Sequence, residues 1–547
     1  MSTQDYTRRD FLKAIGLGAA GFALPGCAST EKLSSAKRAK GRPNIILIMA
    51  DDMGFSDLAC YGSEIHTPNL MRLAAQGLRF TQFYNTARCC PTRASLLTGL
   101  YPHQAGIGGM TNAKRGDVNP PGPYQGYLND KCVTIAEVLK KVGYTTLMSG
   151  KWHVGESRPH WPVDRGFDRY YGLISGAANY FDITKAKRKG TVRRFAKDGK
   201  PYMPGKENFY ITDAFSDNAV SFIDKYGRRK KPFFLYVAYT APHWPLHALP
   251  KDIAKYKGKY LEGWDVLRKK RYARMVRMRI IHRKWRLTPR DKGAVPWDGV
   301  EDKELMDLKM AVYAAQIDRM DQGIGRILAK LKQIGKKENT LVMFLSDNGG
   351  CHETGPLGFD SRKNGLPPGG VDSYMSYGQS WANASNTPFR LFKKYTHEGG
   401  ISTPLIVRWP AVIKNKGFIT RQVGHIIDIM ATCVDVAGGR YPKAINGKKI
   451  LALEGKSLLP IFEGKERRAH EYLFWEHVKH EAVRHGKWKL VAEKRRQWEL
   501  YDLERDRSEI RNLADRHPEI VEKLKSKYEE WAQRVGVSSQ NASYRQR

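Results

Sequence analysis

The sequence predicts an α/β fold, with a large, mostly parallel central sheet flanked by helices and a smaller C-terminal α+β domain. Three observations carry that reading. Continuous apolar runs of strand length alternate with helical stretches, the pattern of βαβ units. These runs end abruptly in polar, chemically capable residues, and in parallel sheets the carboxyl ends of strands form the ligand crevice. The C-terminal stretch then changes to alternating apolar and polar positions before an amphipathic helix, as expected of antiparallel strands backed by a helix.

Taken in order, "PNIILIMADDMG" is a buried strand that runs out into a loop at Asp51-Asp52-Met53-Gly54. "HTPNLMRLAAQG" is helical, with Thr67-Pro68 as its start. "KCVTIAEVLKKVGYTTLMSGKWH" gives a helix stopped by Gly143 and a strand ending at Lys151-Trp152-His153. "KKPFFLYVAYTAPHWP" is an apolar strand ending in the proline-bracketed His243. A long helix from Glu304 precedes a buried strand that ends in Asp347-Asn348. No internal repeat is present. The expected organisation is an export signal over 1–27, a linker over 28–42, the α/β domain over 43–444 with a basic insertion at about 251–300, and the C-terminal domain over 445–547.

Bulk properties bound the function. A chain of 547 residues, 41% hydrophobic and 11% aromatic, has material for a large core and is not wholly disordered. Its net charge of +38 implies an acidic partner: nucleic acid, anionic lipid or a polyanionic substrate. Arg8-Arg9 before Phe11-Leu12-Lys13, followed by an apolar run from Ala14 to Pro25, has the layout of a twin-arginine export signal. That run is too short to span a bilayer. Leu24-Pro25-Gly26-Cys27 resembles a lipoprotein box, in which Cys27 would be acylated and would supply the only tie to a membrane. Export to the periplasm or cell surface removes nucleic acid as the partner and leaves an acidic substrate or matrix. The basic segment "WDVLRKKRYARMVRMRIIHRKWRLTPRDKG" is either a solvated helical insertion or a polyanion-facing surface near the site, and Lys185–Arg194 is open to the same two readings.

The strand ends suggest a site. Asp51, Asp52, Asp347 and Asn348 offer hard oxygen ligands that suit Ca²⁺ or Mg²⁺ rather than zinc. Carboxylates crowded at one rim repel one another without a cation. Arg93, Lys151, His153, His243 and Lys393 add positive charge and proton carriers, which together describe a site for an oxyanion ester. Cys89 and Cys90 are adjacent, and a trans peptide holds their Cα atoms ~3.8 Å apart, short of the usual disulfide span. They also lack the Cys-x-x-Cys spacing of catalytic dithiols. Cys60, Cys132, Cys351 and Cys433 sit in or beside apolar segments and read as packing residues, with a disulfide between two of them left open.

Cys89-Cys90-Pro91-Thr92-Arg93-Ala94-Ser95-Leu96-Leu97-Thr98-Gly99 resembles the signature of the type I sulfatases, in the alkaline phosphatase superfamily. The resemblance continues at Ala50-Asp51-Asp52, Gly150-Lys151-Trp152-His153, Pro242-His243, Ser346-Asp347-Asn348-Gly349, Lys393 and Glu398-Gly399-Gly400, and in "ELYDLERDRSEIRNLA". It implies that Cys89 is oxidised to formylglycine by a formylglycine-generating or an anaerobic sulfatase-maturing enzyme. It also implies one Ca²⁺, with Mg²⁺ less suited, held by Asp51, Asp52, Asp347, Asn348 and the modified Cys89. The hydrated aldehyde would attack sulfur, form an enzyme-bound sulfate ester and eliminate sulfate, a route closed to an ordinary serine ester. Arg93 and Lys151 would stabilise the diol, and His153 would take the proton in the elimination. His243 and Lys393 would contact the sulfate, one of them protonating the leaving oxygen. The expected activity is sulfate ester hydrolysis, on aryl sulfates generically and on a sulfated carbohydrate by preference. Phosphate or phosphonate ester hydrolysis is the alternative within enzymes, and a basic lipoprotein that binds sulfated glycans without catalysis is the alternative outside them.

Overall fold

The computed structural model describes residues 41–111, 119–186, 193–445 and 447–537, so the export signal and Cys27 lie outside the described residues. The main sheet comprises β1 (Asn44–Asp51), β2 (Leu78–Tyr84), β3 (Thr145–Gly150), β4 (Arg169–Leu173), β5 (Phe195–Lys197), β6 (Lys200–Pro201), β7 (Phe233–Pro242), β8 (Thr340–Ser346), β9 (Ser402–Arg408), β10 (Phe418–Thr420) and β11 (Gly424–His425). Their order is β10-β2-β9-β8-β1-β7-β3-β4-β5-β6, with β11 beside β2. The central block β8-β1-β7-β3-β4 is parallel throughout, and β9 enters antiparallel between β8 and β2.

β1 shows why the sequence folds this way. All eight of its residues are buried, because both faces of a parallel sheet are covered. Strand side chains alternate between faces, so Ile46, Ile48 and Ala50 join one apolar layer while Ile45, Leu47 and Met49 join the other. The first layer is closed by α1 (Pro68–Ala75), by α4 (Ile211–Gly227) and by the long α6 (Lys303–Gln333). The second is closed by α2 (Cys89–Thr98), α3 (Ile135–Lys141) and α8 (Asp428–Val436). Thr134 caps α3 through a reciprocal bond pair with Glu137, so this helix starts where its local sequence dictates.

Two further helices, α5 (Gly263–Arg277) and α7 (Gly378–Ser385), pack beside the first layer. The basic insertion is thus an ordered element, anchored by Trp264 Nε1 on the Val295 carbonyl (2.9 Å) and Trp285 Nε1 on the Glu504 carbonyl (3.0 Å). Its arginines divide in a way neither expected reading contains: Arg268 and Arg271 are buried, while most of the others face solvent.

Beyond a short ribbon of β12 (Ala444–Ile445) and β13 (Lys448–Lys449), the C-terminal part is an antiparallel sheet. Its strands β14 (Tyr472–His477), β15 (His480–His485), β16 (Trp488–Ala492) and β17 (Trp498–Asp502) pair in sequence order, and α9 (Pro518–Val535) covers them with Leu524, Tyr528, Trp531 and Val535. Tyr84, Ala87 and Ile401 of the main sheet region share this apolar cluster. The described residues from Arg42 onward form one compact unit.

Candidate active site

β1, β3, β7 and β8 all finish at one edge of the sheet, and the N-terminus of α2 meets them there. Asp51 closes β1, and Asp52 follows with φ 67°, a left-handed conformation that a non-glycine residue adopts only under constraint. The constraint is visible. The Asp52 amide donates to Asp347 Oδ1 (3.1 Å), and Asn348 Nδ2 donates to Asp52 Oδ1 (2.7 Å). A Cβ on Gly349 would lie 1.9 Å from the Gly399 carbonyl oxygen, so the Glu398-Gly399-Gly400 segment reaches this loop only because position 349 is glycine.

Three cations are paired with the carboxylates. Lys151 Nζ lies 2.5 Å from Asp51 Oδ2, Arg93 donates to Asp347 Oδ2 at 2.8 Å, and Lys393 Nζ donates to Asp52 Oδ2 at 2.8 Å. Arg93 also donates to the Lys151 carbonyl (3.0 Å), which ties α2 to the end of β3. Against the cost of burial, the Lys151 and Arg93 charges hold the Asp51 carboxyl well below its usual range. Burial and the neighbouring Asp51 charge push Asp347 the other way.

His243 Nδ1 donates to the Trp244 carbonyl (2.6 Å). Burial lowers its pKa, so the ring is neutral and Nε2 is the free lone pair, 3.4 Å from Lys393 Nζ. Cys89 is the first residue of α2, where the helix dipole favours an anion. A hydrogen bond from Cys90, against the opposing effect of burial, together with Lys151 and His153, holds the Cys89 thiol well below its ordinary value. The sulfurs of Cys89 and Cys90 and a ring nitrogen of His153 all lie within 4.8 Å of one another. Burial lowers the His153 pKa to about 4, so this imidazole is also neutral at physiological pH.

The donor set fits a hard divalent cation. Asp51 Oδ1 and Asn348 Oδ1 are buried without a hydrogen-bond partner, beside the carboxylates of Asp52 and Asp347. Oxygen atoms left over in this way are what a Ca²⁺ site requires.

Asp51, Asp52, Cys89, Arg93, Lys151, His153, His243, Asp347, Asn348 and Lys393 therefore gather at one edge of the sheet. Sequence reasoning missed others. Arg88, immediately before Cys89, pairs with Glu353 at 2.8 Å, and Glu353 also accepts from Trp244 Nε1 at 3.3 Å, bridging the two sides of the site. Cys351, expected only to pack, lies 3.8 Å from Lys393 Nζ. All six described cysteines are unpaired and buried, which settles the disulfide question for Cys60, Cys132, Cys351 and Cys433. Arg271 donates to Asp57 Oδ1 (2.6 Å), whose other oxygen accepts from the Gly54 amide (2.9 Å) and the Tyr313 hydroxyl (2.8 Å). No local signal marks this relay, since its members lie far apart along the chain.

Comparison with known proteins agrees with this geometry. Residues 43–439 match the sulfatase family model, and residues 389–534 match the C-terminal model of N-sulphoglucosamine sulphohydrolase. The chain is 36% identical over 521 residues to a sulfatase of Schizosaccharomyces pombe, covering 88% of this chain and 92% of that protein. It is 36% identical over 448 residues to the arylsulfatase of Klebsiella aerogenes, covering 78% of this chain and 93% of that protein. The crystal structure of Ps i-CgsB in complex with k-i-k-neocarrahexaose superposes with a TM-score of 0.67 at 27% identity, covering 90% of this chain and 93% of that one. The chain belongs to the sulfatase family and is a sulfuric ester hydrolase.

Proposed function

We propose that this sulfatase removes sulfate from a sulfated glycan, using formylglycine made from Cys89 and one bound Ca²⁺. The observation that carries the proposal is the placing of Cys89 at a buried helix N-terminus, with the neutral His153 on one side and an oxygen-lined cation site on the other. The Ca²⁺ would be held by Asp51, Asp52, Asp347 and Asn348, and its chemistry is to neutralise and orient the sulfate oxygens. Formylglycine supplies a geminal diol as nucleophile, with a second hydroxyl through which sulfate can leave.

This chain's own residues do the rest. Lys151 and Arg93 keep the Asp51 carboxylate ionised and bring positive charge toward Cys89. His153, neutral and within reach of Cys89, takes a proton there. Lys393 and His243 form an adjacent ammonium–imidazole pair, able to bind a sulfate oxygen and pass a proton to the departing alcohol. The neocarrahexaose bound to Ps i-CgsB and the +38 charge of this chain support an anionic saccharide as substrate. Export to the periplasm or cell surface, where such polymers are met, is supported by Arg8-Arg9 and the apolar run after it.

The test is turnover of a panel of defined sulfated oligosaccharides beside 4-nitrophenyl sulfate, phosphate and phosphonate. Release of sulfate from at least one saccharide at higher kcat/KM than from the aryl ester is expected. Faster turnover of the phosphorus esters by orders of magnitude would replace the reading with a phosphohydrolase.

A further inference from the structure

We infer that the solvent face of the 263–290 segment is a docking surface for the chain of a sulfated polysaccharide, separate from the catalytic cleft. Lys269, Arg277, Arg279, Arg283, Lys284 and Arg286 are all exposed. Among the described residues none of these side chains forms an ion pair, whereas Lys270, Arg274 and Arg290 of the same segment are paired with Glu262, Glu64 and Asp265. Unpaired like charges this close in sequence repel one another, so the fold carries them at a cost that a polyanion would relieve.

The charges also stand on a fixed scaffold. Arg268 donates to the carbonyl and hydroxyl of Thr288 (2.9 and 2.7 Å), closing the segment on itself. Arg271 is buried on Asp57 and Glu64, and Ile280, Ile281 and Trp285 are buried in the core. Fixed cations on an ordered segment lose less entropy on binding than a flexible basic tail, which favours an extended polyanion as the partner. None of the six touches a catalytic side chain, so they act on where a polymer sits rather than on the chemistry. The sulfated class of ligand rests on the function proposed above, while the presence of an anion-binding face does not.

The experiment compares three proteins: wild type, a variant with all six residues changed to Gln, and a control with Lys414, Lys416, Arg421, Arg440, Lys443 and Lys449, exposed elsewhere, changed to Gln. Each is passed over immobilised dextran sulfate in a salt gradient, mixed with phosphatidylglycerol vesicles, and assayed on 4-nitrophenyl sulfate and on a sulfated polysaccharide. The six-residue variant should elute at lower salt and show a polymer KM raised about tenfold, in line with the loss of several phosphate-like contacts. Its aryl sulfate kinetics and thermal midpoint should equal those of wild type. Equal retention of the variant and the control overturns the inference, as does stronger binding to the vesicles than to the sulfated polymer. Failure of all three proteins to turn over the aryl sulfate would instead strike the function proposed above and leave the retention result standing.

Discussion

Arg271 and Asp57, both fully buried and 214 positions apart, meet at 2.6 Å beneath the loop that carries Asp52. The contact passes through Asp57 to Tyr313, whose hydroxyl also lies 3.2 Å from the Asp52 carbonyl oxygen. A residue of the basic insertion thereby holds the backbone that aims a proposed metal ligand. Removing one partner of a buried pair leaves the other charge stranded, so Arg271→Met should destabilise the protein by about 3–5 kcal/mol. Tyr313→Phe is the milder probe, costing about 1 kcal/mol. It should weaken Ca²⁺ binding measured by calorimetry, and an unchanged affinity would show that the relay supports the fold alone.

The two adjacent cysteines should behave unequally. Cys89→Ala is expected to abolish turnover, whereas Cys90→Ser should keep most of it, because Cys90 supports Cys89 by a hydrogen bond that a hydroxyl can replace. Peptide mass spectrometry of active wild type should find one position, the first, lighter by the difference between –CH2SH and –CHO. Conversion at Cys90 instead would reverse the assignment.

Chelation should both inactivate and destabilise the enzyme. A cation bound only by the folded state adds about 2.7 kcal/mol at 100 times its Kd. Thermal unfolding with excess Ca²⁺ should therefore give a higher midpoint than with chelator, with Mg²⁺ less effective. Asp347→Ala should remove that difference.

Glu398 gives a pH test. It is buried among Lys489 (3.0 Å), Arg507 (2.8 Å) and Tyr84 (3.0 Å), and those cations, opposing the effect of burial, lower its pKa from 4.5 to about 2. A carboxylate depressed on folding stabilises above its unfolded value and loses that contribution as pH falls toward the folded one. Wild type should exceed Glu398→Gln in thermal midpoint at pH 7, and the gap should close between about pH 4.5 and pH 2. A gap that does not change over this range would mean that the ion cluster is not what Glu398 contributes.

Much of the site was legible in the sequence because its residues sit at the ends of apolar strands. A strand that stops at Asp51-Asp52 or Asp347-Asn348 announces where its chemistry lies, since parallel strands share one carboxyl edge. Charge alone marks Arg93 and Lys393 as candidates, whereas the role of Cys89 comes only from the family resemblance. Cys351 follows closely on the apolar strand β8 and so read as packing, and no local pattern states which loop folds over Lys393.

The sequence by itself determined the α/β class, the strand ends that bear the site and the residue types of an oxyanion ester hydrolase. Periodicity and local chemistry are properties of neighbouring residues, so a single chain carries them in full. Only the tertiary structure decided that Lys393 faces Asp52, that Glu353 joins Arg88 to Trp244, and that the basic segment is part scaffold and part free surface. Those facts depend on which distant residues share a buried volume. Burial turns the same arginine into a locked strut at position 271 and an open charge at position 277.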